Sequence, residues 1–187
     1  MSELVSINKE WIEVSRDTTA IGVPEGTRTI IKAGTHVVMV HELGGDFTVR
    51  TEVGAIFRLD RKDGDAIGRT PSEPVASPIG ESVKEVTEDA VWDVARTCYD
   101  PEIPVNIVDM GLIYGVKLND SEAGVTVKIT MTLTAPGCGM GQVIADDVKR
   151  KVEGLGGVAE VEVDLTFDPP WEPSRMSESA RLEMGML

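Results

Sequence analysis

Val125-Thr126-Val127-Lys128-Ile129-Thr130-Met131-Thr132-Leu133 alternates apolar and polar side chains, the pattern of a strand with one buried face. Beyond it, Met140, Ile144, Val148 and Val152 recur every four residues, with Val143 and Leu155 on the same flank, as an amphipathic helix requires. Lys149, Arg150 and Lys151 fill the last turn of that helix and Gly154 follows, and both are stop signals. Between strand and helix stands Pro136-Gly137-Cys138. A thiol there lies at or just before a helix N-terminus, where free amide N–H groups and the macrodipole favour thiolate. Thiolate attacks electrophiles and binds soft metals. The plain alternative is a small residue that fits a tight turn.

Working outward, a helix is expected from about Thr87 to Tyr99, capped by Thr87, with Glu88 and Asp89 in its first turn. Val91, Val94, Ala95 and Cys98 form its apolar stripe, and Asp100-Pro101 ends it. An irregular segment, Glu102 to Asp109, precedes a strand from Leu112 to Leu118. A turn through 119–124 leads into the strand quoted first. After the Cys138 helix, Val158 to Phe167 alternates as a third strand. The order αββαβ implies an α+β two-layer sandwich. The tail carries Asp168-Pro169-Pro170-Trp171-Glu172-Pro173 and a short amphipathic helix near Ser177 to Met184.

The first third of the chain has another character. From about Thr18 to Gly68 it is rich in glycine and β-branched residues, with no helical period. Thr35 to His41 and Phe47 to Thr51 read as strands joined at Leu43-Gly44-Gly45-Asp46. A turn at Glu52-Val53-Gly54 leads into a third, Ala55 to Leu59. So short a meander must close on itself, which favours a small barrel of the SH3-like kind. Arg69-Thr70-Pro71-Ser72-Glu73-Pro74-Val75-Ala76-Ser77-Pro78 is a semi-rigid linker by composition. The expected organisation is an all-β domain over 1–68, a linker over 69–82 and an α+β domain over 83–187.

A net charge of -14 over 187 residues argues against nucleic acid, whose phosphates such a surface repels. No apolar stretch is long enough to span a bilayer, and Met1-Ser2-Glu3-Leu4 lacks the regions of a signal peptide. Two cysteines make no disulfide scaffold. These features point to a soluble, acidic, cytoplasmic protein with no membrane or nucleic-acid partner.

The segment Asp100-Pro101-Glu102-Ile103-Pro104-Val105-Asn106-Ile107-Val108-Asp109-Met110-Gly111-Leu112-Ile113-Tyr114 places three carboxylates and two prolines between a helix and a strand. Rigid polar loops are where sites tend to be built. The alternative is that Asp100 and Asp109 only cap backbone N–H groups while Glu102 is solvated.

This segment, then Thr132-Leu133-Thr134-Ala135-Pro136-Gly137-Cys138, then Phe167-Asp168-Pro169-Pro170-Trp171, resembles the iron–sulfur cluster assembly domain family, with the motifs in that family's order. Ile21 to Gly26 and Leu43 to Val49 are similar to the N-terminal extension of SufT proteins. The resemblance implies an accessory, non-catalytic role in maturing iron–sulfur proteins, with Cys138 as the reactive cysteine. Asp100, Glu102, Asp109, Thr134, Pro136 and Gly137 would shape its site. The implied partners are the assembly machinery and apo-protein clients. No cofactor is expected to be firmly bound. Clusters are usually held by four thiolates, so one chain with Cys138 and Cys98 cannot enclose one with cysteines alone. Either a labile cluster is shared across a homodimer or with a client, or Cys138 makes a transient contact.

Two other readings stand beside this one. Cys98 and Cys138 could cycle as a redox pair, which requires Cα atoms within about 7 Å, although Cys98 on an apolar stripe reads better as a core thiol. A cysteine-dependent enzyme would need a histidine near Cys138. His36 and His41 both fall in the N-terminal domain, and their spacing puts them on opposite faces of a regular strand. Trp171 either covers the fold or is offered to a partner, and Met176, Met184 and Met186 either pack or form an adaptable surface.

Overall fold

The computed structural model describes residues 10–70 and 86–186. The chain divides into two compact units, Met1–Val75 and Ala76–Leu187. The expected linker, apart from Arg69 and Thr70, lies outside the described residues.

Among its described residues the first unit is all β apart from one short 3-10 helix. Strands β1 (Ile12–Glu13), β2 (Thr18–Val23), β3 (Arg28–Ile31), β4 (His36–Leu43), β5 (Asp46–Thr51) and β6 (Ile56–Leu59) form one sheet in the order β1-β4-β5-β6-β2-β3. The expected meander is β4-β5-β6. Strands β1, β2 and β3 come in addition to that meander. Gly44 and Gly45 form the β4–β5 turn with φ of 59° and 90°, as a two-residue hairpin with two positive φ values requires. The 3-10 helix Arg61–Ile67, capped by Asp60, brings Ala66 and Ile67 into a core with Val14, Val37, Phe47, Val49 and Leu59.

A bulge alters the expectation for the histidines. On β4, Met39 pairs with Val49 but His41 pairs with Thr48, so Val40 is an extra residue. The slip returns His41 to the side of the sheet that His36 occupies, against the alternation of a regular strand. Five residues still separate them by roughly 16 Å.

The second unit follows the order αββαβ. Helix α1 (Glu88–Ala95) starts at Thr87, whose hydroxyl oxygen accepts the Ala90 N–H at 3.2 Å. It stops four residues short of Tyr99. Thr97 and Cys98 donate to carbonyls only three residues back, and Tyr99 bridges to Asn106 instead. The Asp100-Pro101 step draws the preceding chain out of the helix. Strands β7 (Ile113–Ser121) and β8 (Gly124–Met131) are antiparallel, and β9 (Val158–Leu165) runs parallel to β8 at the sheet edge. The turn expected through 119–124 is tighter, because Asn119 and Asp120 pair with Thr126 and Val125.

Helix α2 (Gly141–Glu153) joins β8 to β9, and helix α3 (Glu178–Glu183) closes the tail. Helix α1 packs on β7, α2 packs on β9, and the helices touch each other, so they cover one face of the sheet. That face is built from Val116, Val127, Ile129, Met131 and Val161, all buried. Asp147 is buried on α2, which an apolar stripe does not anticipate. Its carboxylate is paired with Arg150 and Lys151, and Lys151 also donates to the Thr97 carbonyl at 2.7 Å, tying α2 to the end of α1.

Candidate functional site

Three chain segments meet at one end of the β7-β8-β9 sheet. Thr132, leaving β8, donates its N–H to Leu112, which leads into β7, at 2.8 Å. Thr166, leaving β9, donates to Met131 at 2.9 Å. The three motifs that stand far apart in sequence thus leave the sheet at the same end, and Cys138 lies on the middle one.

The Cys138 segment is a turn before it is a helix. Pro136 presets φ, and Gly137 takes φ of 83°, as the second central residue of a Pro-Gly turn often does. Helix α2 begins three residues after Cys138, with Met140 in the capping position and no side-chain cap. The Gly141 N–H donates to the Cys138 carbonyl at 3.1 Å, so one helix-terminal donor is met by that residue's backbone rather than its thiol. Thr134, Ala135, Pro136, Gly137 and Gly139 are exposed and Cys138 is half-buried. Met140 is fully buried and Leu133 packs tightly against Gly141, anchoring both ends of the turn. The thiol therefore sits on an open, anchored loop.

The carboxylate loop is held mainly by itself. One Asp100 oxygen accepts the Glu102 N–H at 3.0 Å, and Asp100 is buried. The side-chain oxygen of Asn106 accepts the N–H groups of Val108 and Asp109, while its amide donates to the Asp109 carboxylate at 2.6 Å. Asn106 is the organiser of this loop, and the Asn106-x-x-Asp109 spacing was its one signal in the sequence. Glu102 is exposed. Burial, then the charges of Asp109 and Glu183 and the neighbouring Cys98, push the Tyr99 phenol above its ordinary value. Among the described residues no three His, Cys, Asp or Glu side chains are grouped as a metal would need.

The tail after β9 crosses this end of the sheet. Trp171 donates its indole N–H to the Met110 carbonyl at 2.8 Å, and the Tyr114 hydroxyl donates to the Pro169 carbonyl at 2.8 Å. Arg175 stacks over the Tyr114 ring at 4.2 Å, and the Ser177 N–H donates to the Asp109 carbonyl at 2.8 Å. Gly111, at φ of 70°, lets the Arg175 backbone pass, since a Cβ there would lie 2.4 Å from the Arg175 carbonyl oxygen. Trp171 is half-buried and covers the fold; Met176 is buried, whereas Met184 and Met186 are exposed.

Cys98 is fully buried, so the two thiols occupy opposite environments. The second unit has no histidine of its own. No described helix is long and apolar enough to cross a membrane.

Residues 88–163 match the family described as iron–sulfur cluster assembly protein. The chain is 52% identical over 101 residues to an Fe-S protein maturation auxiliary factor of Porphyromonas gingivalis, covering 54% of this chain and 93% of that protein. It is 38% identical over 87 residues to the Fe-S protein maturation auxiliary factor SufT of Staphylococcus aureus, covering 46% of this chain and 96% of that one. A crystal structure of a domain of unknown function from Bacillus anthracis is 36% identical, with a TM-score of 0.48 over 54% of this chain and 92% of that one. The family match lies wholly within the second unit.

Proposed function

The chain belongs to the iron–sulfur cluster assembly protein family, and from that membership we propose that it is an accessory factor in the maturation of iron–sulfur proteins, with Cys138 as its working residue. The observation that carries the assignment to Cys138 is its place: a half-buried thiol on an anchored turn, where the family's three motifs leave one end of the sheet. Cys138 supplies one thiolate to an incoming iron–sulfur cargo or to the client that receives it, and the remaining ligands come from outside the chain. Thr134, Pro136 and Gly137 shape the turn. Asp100 and Asp109 hold the loop that leads into β7, and Glu102 offers a carboxylate to solvent.

The role is that of a binding factor rather than an enzyme, since the second unit lacks a histidine to act as general base. The redox-pair alternative is disfavoured by the complete burial of Cys98. Partners are the assembly machinery and apo-clients, and the compartment is the cytoplasm.

For the first unit we keep the small-barrel reading. Strand β3 ends at Ile31 and β4 begins at His36, yet they lie four places apart in the sheet order. In a flat sheet that separation is about 19 Å, more than a connection whose Thr35 N–H folds back to the Lys32 carbonyl spans. The sheet must therefore curl.

Cys138→Ala tests the function. The variant is expected to keep the parent's circular dichroism and melting, and to lose restoration of iron–sulfur enzyme activity in cells lacking the protein. Anaerobic incubation with iron and sulfide should give less than one cluster per parent chain and none for the variant. Full restoration by Cys138→Ala would refute the assignment.

A further inference from the structure

We propose that the outer edge of β9 receives an extended, basic segment of a client protein as a fourth strand. The identity of the occupant as a client rests on the maturation-factor reading; the edge itself does not. Among the described residues β9 ends the sheet order β7-β8-β9, so its outer main-chain groups have no strand partner. It carries no proline, and its charged side chains are all acidic. The opposite edge is obstructed at the Cys138 end, where the tail holds Tyr114 and passes over Gly111. The outer edge of β9 ends at the same end of the sheet from which the Cys138 segment leaves β8.

Side chains along β9 specify the chemistry of the guest. On the face without helices, Glu160, Glu162 and Asp164 stand in a row opposite Thr126, Lys128 and Thr130. Lys128 pairs with Glu162 at 3.5 Å and Asp164 at 2.9 Å, so two of the three carboxylates share one ammonium group. A fourth strand places alternate side chains beside that row, and lysine or arginine there meets unsatisfied negative charge. At the Cys138 end, Leu165 is 38% and Phe167 41% exposed, an apolar contact for the guest's other face. A second copy fits poorly, because an antiparallel pair centred on Glu162 sets Glu160 against Asp164 and Glu162 against itself. Like charges directly opposite are destabilising. The same row thus excludes self-pairing and selects a basic strand.

The test titrates the isotope-labelled full chain with a capped peptide of about eight residues alternating lysine and valine, and with its glutamate counterpart. Binding of the lysine peptide should slow hydrogen exchange of β9 amides, while the glutamate peptide should not bind at the same concentration. Glu160→Lys with Glu162→Lys should weaken the lysine peptide about tenfold and reverse the preference. Should that pair fail to fold, Glu160→Gln alone should weaken binding about twofold. No protection of β9, protection at β7 instead, equal binding of both peptides, or dimerisation through β9 would each overturn the proposal. Cys138→Ala should bind the lysine peptide normally. Peptide binding that persists while Cys138→Ala is fully functional refutes the Cys138 role and not the edge; the converse result refutes the edge alone.

Discussion

The indole N–H of Trp171 meets the main-chain carbonyl of Met110 across 61 positions of sequence, at 2.8 Å. The contact closes the tail over the start of β7 and ties down the loop that leads into that strand. Trp171→Phe keeps most of the ring and leaves that carbonyl without its partner. A loss of about 1 kcal/mol in the unfolding free energy of the second unit is expected. Trp171→Ala should cost more, because the covering ring goes too. Denaturant titration followed by circular dichroism measures both, and a Phe variant as stable as the parent would show the hydrogen bond to be of no consequence.

Gly111→Ala should be among the more damaging single-methyl changes in the second unit. A left-handed backbone at alanine costs about 1–2 kcal/mol, and the added carbon collides with the Arg175 carbonyl oxygen. Gly115→Ala is the control, since a Cβ there meets nothing within 4 Å. The expected readout is a clear fall in melting temperature for Gly111→Ala, with faster proteolysis of the tail, and a near-parental Gly115→Ala.

The two thiols should differ sharply towards an alkylating reagent. Cys138 is half-buried on an exposed turn, whereas Cys98, just after α1, is fully buried. Brief iodoacetamide treatment and peptide mass spectrometry should find Cys138 modified and Cys98 protected until denaturant is added. Equal labelling of the folded protein would contradict the burial.

Tyr99 supplies a pH dependence. Burial and the charges of Asp109 and Glu183 disfavour its phenolate, so the folded protein holds the phenolic proton more tightly than the unfolded chain. The stability linked to this proton is fully present below about pH 10 and is lost as pH rises through the higher folded value. Spectrophotometric titration should show one tyrosine ionising above the ordinary range, absent in Tyr99→Phe. A Tyr99→Phe variant with the same alkaline loss of stability as the parent would refute the linkage.

Local repetition made most of the second unit legible in the sequence. Alternation along 125–133 and the four-residue recurrence of Met140, Ile144, Val148 and Val152 report directly which face each element buries, because strand and helix periods are properties of the backbone. Thr87 and Gly154 marked helix ends for the same local reason. The prominence of Cys138 was also readable, since Pro-Gly turn chemistry needs no distant partner. Contacts between remote residues were not readable. The docking of the Asp147–Lys151 pair on the end of α1 depends on the Thr97 carbonyl, 54 positions away. The passage of the tail over Gly111 depends on a backbone more than 60 residues away, and the slip at Val40 depends on the register of β5. Periodicity encodes a buried face, but which faces, edges and loop ends meet is set by packing, and that packing carries three separate motifs to one end of a single sheet.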